Sequence, residues 1–417
     1  MAERSRVVIT GIGAIMPART GREAIWDACL KGKSGIAEIR SFDVSSFPIG
    51  VAGEIADDHL FPLLPEEKLG KVDRFSALAM VASKEALDDS ALDPQTMAER
   101  IGVYMGSGYS GRKSIDEQNA AMYRGGARRV HPRLMQNNIT NAASGEVAIY
   151  LGLKGANLAY SVGYVSGSYA VVQAFNTLRL GYLDAILAGG AEAPILPLVL
   201  EEMMDIGEMS RRREDPPTVC SPFDEKRDGL VAAEGACVLV LERLESALSR
   251  RAPIYAELKG YRITYDRERK VRGGLRIGEM ASTMEEALKD SGHRPEQVGY
   301  ICASGLSMTA DDVAETKAIK KVFGIQAGDI PVSSIKPVTG YAIAASEVLE
   351  SAVCALAIQR GAIPPTINLI DPDRECDLDY VPRQSREAEV KVAMSNSFGI
   401  DGNYSAFVLE KYEGARP

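Results

Sequence analysis

Short aliphatic and β-branched runs that end in glycine alternate along the chain with longer segments whose apolar residues recur at helical spacing. The pattern predicts strands over 6–11, 101–105, 156–162, 184–190 and 236–241, and helices over 22–31, 74–89, 137–151 and 167–181. A second series begins near 254, with strands over 255–260, 298–304, 389–394 and 404–409 and helices over 279–291, 311–323 and 340–360. The order describes two α/β halves, 1–250 and 251–417, and such alternation predicts largely parallel sheets covered on both faces. The polar stretch 205–230, with Pro216 and Pro217 adjacent, reads as a surface loop.

A chain of 417 residues is too long for one small core. Its 48 Lys and Arg against 57 Asp and Glu give a net charge of −9, which argues against nucleic-acid binding as the main function. The opening MAERSRVVITG lacks the apolar core of a signal peptide. The longest apolar stretch, 341–358, is interrupted by Glu347 and Glu350, so no membrane span and a cytoplasmic location are expected. Six cysteines without a CxxC pair read as reduced, mostly buried thiols, with no disulfide frame and no metal site. Any imidazole chemistry must draw on His59, His131 and His293, the only histidines.

Gly106-Ser107-Gly108-Tyr109-Ser110-Gly111 fits GxGxxG, but it does not follow the first strand and lacks a second strand ending in an acid, so it reads as a tight turn rather than a nucleotide site. The segment 159–167 is more informative. It runs strand, sharp turn, helix, and such an elbow sets one side chain at a helix N-terminus, where N–H groups favour anionic chemistry.

Together with this elbow, the stretches 7–17 (VVITGIGAIMP), 104–111, 185–194, 221–242, 332–341 and 395–403 resemble the β-ketoacyl synthases, condensing enzymes of the thiolase-like fold, over essentially the whole chain. The resemblance implies an α/β fold of two duplicated halves in a five-layered α-β-α-β-α arrangement. It also implies acyl transfer with no cofactor, by a cysteine at the elbow that accepts the acyl chain and two histidines that polarise the malonyl thioester. The matching positions hold Tyr164, Ser304 and Tyr341, and only the family lysine, Lys336, is kept. A phenol of pKa ~10 is a poor acyl carrier beside a thiol of ~8.5. Each lost imidazole removes a donor worth ~2–4 kcal/mol by analogy with oxyanion-hole donors.

A ketosynthase without its triad resembles a chain length factor, the non-elongating partner of an active ketosynthase in a type II polyketide synthase. The resemblance implies a heterodimer or heterotetramer with that ketosynthase, paired along the strand near 156–162. Tyr109, Arg112, Ile115, Leu134, Met135 and Gln136 are then expected at the acyl tunnel or subunit interface. Phe398, Ile400 and Asp401 stand in the family's gate loop, where an aromatic and a glycine are usual at the last two positions. Aromatic-system factors often carry glutamine at the elbow, and the tyrosine there together with Ile400 and Asp401 in the gate loop points toward a polyene-type system, aryl polyenes included. Lys68, Lys71, Arg74, Arg128, Arg129 and Arg211 resemble a docking surface for an acidic acyl carrier protein. The alternatives are an independent enzyme in which Tyr164, Ser304, Tyr341 and Lys336 perform a dehydration, isomerisation or acyl transfer, and a homodimeric scaffold for carrier proteins.

Overall fold

The computed structural model describes residues 5–17, 19–267 and 277–414. Its main sheet has eleven strands: two sets of five and the two-residue strand Arg19–Thr20, which pairs with Ile15 and Met16. The first set is β1 (Val7–Met16), β2 (Ile101–Gly106), β3 (Asn157–Tyr160), β4 (Ala185–Glu192) and β5 (Gly235–Arg243). The second is β6 (Ala256–Tyr265), β7 (Tyr300–Cys302), β8 (Val332–Ser333), β9 (Val392–Phe398) and β10 (Asn403–Glu410). Spatial order is β3-β2-β4-β5-β1 in one half and β8-β7-β9-β10-β6 in the other, the same arrangement twice. The halves join where Val7–Ile9 of β1 pair antiparallel with Ala256–Leu258 of β6.

The expectation of largely parallel sheets is corrected. Each half has two parallel pairings, β2 with β3 and β4 or β7 with β8 and β9, and two antiparallel ones, β5 with β4 and β1 or β10 with β9 and β6. The cause in the second half is local: the turn at 399–402, closed by Gly399 N–H to the Asn403 carbonyl at 2.8 Å, is too short for anything but a hairpin.

Seven helices matter for the site: α1 (Arg74–Ser90), α2 (Arg112–Gly125), α3 (Ala142–Leu151), α4 (Ser166–Arg179), α5 (Ile277–Ser291), α6 (Thr309–Phe323) and α7 (Ala344–Arg360). Helices α1 and α3 pack outside the first sheet half, and α5 and α6 outside the second. Between the halves lie α4 and α7, which gives the five layers. All residues from Ala344 to Ile358 of α7 are buried, as expected of a helix covered on every side. The architecture is α/β, with the same strand order in both halves.

Three local expectations change. The helix over 137–151 is two pieces, Leu134–Asn138 and α3. The helix over 340–360 starts at Ala344, because Gly340 (φ 68°) and Ile343 (φ 46°) are left-handed and break the turn. The stretch 205–230 is not a plain surface loop, since Glu208–Ser210 and Val219–Asp224 are buried. Phe223 stacks on Tyr380 with centroids 3.9 Å apart, and buried Arg227 reaches Asp373 at 2.9 Å, so its far end is anchored in the second half.

Candidate active site

The elbow forms as its sequence implies. A short turn, Gly163–Val165, follows β3 and leads into α4. Ser166 closes it, its hydroxyl donating to the Gly163 carbonyl at 2.7 Å and accepting from Val162 N at 3.1 Å. Gly163 has φ +82°, and a Cβ there would lie 2.0 Å from Asp401 Oδ2, so both backbone and space require glycine. Asp401 Oδ2 accepts from Tyr164 N at 3.4 Å and from Asn403 Nδ2 at 2.8 Å, while the same Asn403 amide donates to the Val162 carbonyl. The β9–β10 turn is thereby tied to the elbow, with Phe398 and Ile400 buried beneath it.

The structure brings Tyr164, Tyr341, Lys336 and Ser304 together. The Tyr164 and Tyr341 rings stack with centroids 6.1 Å apart and planes 5° from parallel. Lys336 Nζ lies 5.5 Å from the Tyr341 ring centre. It also pairs with Glu350 of α7 and donates to the Ser304 carbonyl. Ser304 Oγ accepts from Phe398 N at 3.2 Å, while the Ser304 and Gly305 amides both donate to Glu315 at 2.9 Å.

Electrostatics make these hydroxyls poor acids. Tyr164 OH donates to Glu208 Oε2 at 3.0 Å and is hydrogen-bonded to Tyr109. Burial, then the Glu208 charge, pushes the Tyr164 phenol far above its ordinary value. Burial pushes Tyr109 up to about 12 and also raises Tyr341. Burial opposes the Lys336 ammonium, but Glu350 outweighs it and holds the lysine above its usual pKa. Burial likewise raises Glu350 to about 7 against the pull of Lys336. Glu192 rises to about 7 through burial, although it accepts from Ser107 Oγ and from the Gly108 and Tyr109 amides.

No thiol or imidazole stands at the elbow. All six cysteines are buried elsewhere, and burial holds Cys29, Cys220, Cys237, Cys354 and Cys376 above the ordinary thiol value, which suppresses thiolate chemistry. His59 is exposed before α1, His131 is exposed beyond α2, and His293 faces Glu410 at 3.5 Å. Among the described residues no cluster of His, Cys, Asp or Glu is arranged to hold a metal ion, and no helix is long and apolar enough to cross a membrane.

The other predicted residues scatter. Tyr109 belongs to the cluster around Tyr164, Tyr341, Ile343 and Ile400. Leu134 lines a separate cleft with Phe61, Leu64, Lys68 and His131. Arg112 and Ile115 lie on α2, which buries no residue, and Met135 is 70% exposed with Gln136 beside it. Of the six proposed docking cations, Lys71, Arg128, Arg129 and Arg211 are exposed. Arg74 is not a free cation: its guanidinium binds Glu234, Asp57 at 2.6 Å and the Ile55 carbonyl. Lys68 pairs with Glu146. Sequence reasoning missed Glu208, Glu347 and Glu350. The signal for the last two was available, because carboxylates inside a long apolar helix need a partner once buried.

A sharp strand–helix elbow over a duplicated, mixed sheet, with a second helix start and a buried lysine facing it, defines a condensing-enzyme scaffold. Residues 4–247 match the β-ketoacyl synthase N-terminal domain and residues 255–370 the C-terminal domain. The chain belongs to the β-ketoacyl synthase family. It is 40% identical to the 3-oxoacyl-[acyl-carrier-protein] synthase 2 of Synechocystis sp., over 99% of both chains. It is 38% identical to the protein of the same name from Coxiella burnetii, over 98% of this chain and 99% of that one. The solved structure of the ishigamide ketosynthase/chain length factor superposes with a TM-score of 0.89 at 30% identity, covering 98% of this chain and 100% of that one. A type II polyketide synthase acyl-carrier protein in complex with its hexaketide-bound ketosynthase gives 0.89 at 31%, with the same coverage.

Proposed function

We propose that the chain is a catalytically silent ketosynthase-like subunit, a chain length factor, that pairs with an active ketosynthase and shapes the tunnel for a chain growing on an acyl carrier protein. The observation that carries this reading is the Tyr164–Tyr341 stack. Condensation on this scaffold calls for a thiolate at the elbow and two imidazoles facing it, and here the partly buried Tyr164 ring, the buried Tyr341 ring and Ser304 hold those places. The Tyr164 hydroxyl is engaged by Glu208 and Tyr109, which leaves it no role as an acyl acceptor.

The similarity to a ketosynthase/chain length factor structure supports the pairing. So does the surface around β3, an edge strand in the chain alone: Leu158 is 43%, Ile149 71% and Met135 70% exposed there. Lys71, Arg128, Arg129 and Arg211 are then the cations left to meet an acidic carrier protein.

The test is reconstitution. The purified chain alone is expected to show no malonyl-carrier decarboxylation and no acyl adduct by mass spectrometry. Added to a ketosynthase that carries the Cys-His-His triad, it is expected to form a stable complex that makes product. Decarboxylation or an acyl adduct on the single chain overturns the proposal. The convergence of Tyr164, Ser304, Tyr341 and Lys336 favours one second reading, a rewired acid/base site, which requires the Tyr164 and Tyr341 hydroxyls for turnover.

A further inference from the structure

Two helix N-termini meet behind the elbow. Helix α4 starts at Ser166 and α7 at Ala344, so close that a Cβ on Gly167 would lie 2.0 Å from the Ala344 carbonyl oxygen. The first-turn amides of α4 form the positive end that lowers the pKa of a thiol seated at such an elbow. In this chain one of them is already taken. Glu347, in the first turn of α7 and 2% exposed, accepts from Ser168 N at 2.9 Å through Oε2. Its other oxygen, Oε1, is buried without a hydrogen-bond partner.

We infer that Glu347 is a positioning residue that occupies the first turn of α4 and closes this helix end to the negative charge of a thiolate or enolate. The inference rests on the silent-subunit reading and deepens it. The site is disabled at two levels, in the side chains at 164, 304 and 341 and in the helix end that would have activated a nucleophile. The charges that act most strongly on Glu347 are carboxylates. Glu350 lies one turn along α7 and is held by Lys336 and Ser397, Asp401 approaches from the β9–β10 turn, and Tyr341 is adjacent. Burial, with the Glu350 and Asp401 charges, raises the Glu347 carboxyl well above the usual range, which favours its uncharged form.

The test places a thiol at the elbow and titrates it. In Tyr164→Cys, the rate of iodoacetamide alkylation is followed against pH, with the parent protein as the blank for its buried cysteines. With Glu347 present, the thiol is expected to titrate at or above the ordinary ~8.5. Adding Glu347→Ala frees the Ser168 amide and is expected to lower the midpoint by about one unit, which is about tenfold faster alkylation at pH 7. Glu347→Gln keeps an acceptor in place and is expected to behave like Glu347. A depressed midpoint with Glu347 intact, or no shift with Glu347→Ala, overturns the inference. Should Tyr164→Cys not fold, hydrogen exchange at the Ser168 amide in otherwise native protein reads the same contact. Glu347→Ala is expected to accelerate it about tenfold relative to neighbouring α4 amides, and unchanged exchange overturns the inference. Neither measurement uses a partner, carrier protein or product, so a failure here is separate from a failure of the silent-subunit reading.

Discussion

Removing the ammonium of Lys336 isolates the electrostatics of the site. Lys336 is 1% exposed and holds Glu350, also 1% exposed, while Glu350 Oε2 accepts from Ser397 Oγ at 3.0 Å. Lys336→Met keeps the aliphatic stem and leaves Glu350 buried without its cation. Breaking a buried pair in this way costs about 3–5 kcal/mol. The pH dependence has a definite sign. Glu350 already stands at about 7 in the folded chain, against an unfolded value of ~4.3, and loss of Lys336 raises it further. A carboxyl raised on folding contributes stability that is present below its unfolded pKa and lost as pH rises through its folded pKa. In the parent that loss ends near pH 7, whereas in the variant it continues above pH 7 at up to ~1.4 kcal/mol per unit. Urea denaturation of both proteins from pH 5.5 to 8.5 is therefore expected to show a gap that widens above pH 7. Lys336→Met/Glu350→Gln is expected to recover at least 1 kcal/mol of it, because no unpaired charge remains. A loss below about 1 kcal/mol, a gap independent of pH, or a double variant no better than the single one would refute the reasoning.

Other outcomes follow from the same geometry. Tyr164→Phe is expected to cost about 1–3 kcal/mol in chemical denaturation through the lost bond to Glu208. Together with Tyr341→Phe it should leave the product yield of the reconstituted pair unchanged, and a fall in turnover would favour the rewired site instead. Gly163→Ala forces a Cβ against Asp401 at a left-handed position and is expected to lower stability by about 1–3 kcal/mol, read as a drop in melting temperature. Arg128→Glu with Arg129→Glu is expected to slow carrier-protein association at low salt with little effect at high salt, measured by stopped-flow. Arg74→Glu is expected instead to destabilise the fold itself, by about 3–5 kcal/mol in urea, since it leaves the buried Glu234 carboxylate without its cation.

The sequence by itself determined the strands and most of the helices, because β-branched runs such as 7–10 and the helical spacing over 74–89 are local signals. It determined the elbow, whose Gly163 and Ser166 act within a few residues of each other, and the residue types at 164, 304, 336 and 341. Pairing direction needed the tertiary structure, since strand–helix alternation is equally compatible with the mixed sheet observed here. So did the fate of the charges. Arg74 reads as an exposed cation beside Lys71, but a long-range pair with Glu234 draws it inward. Glu347 and Glu350 read only as interruptions of an apolar run, because their meaning lies in Ser168 and Lys336, which chain folding alone brings to them. Residue identity shows that position 164 holds no cysteine and positions 304 and 341 no histidine. Whether the space there is open or filled depends on which distant side chains converge on it, and here the ring of Tyr341 and the carboxyl of Glu208 come from other elements to fill it around Tyr164.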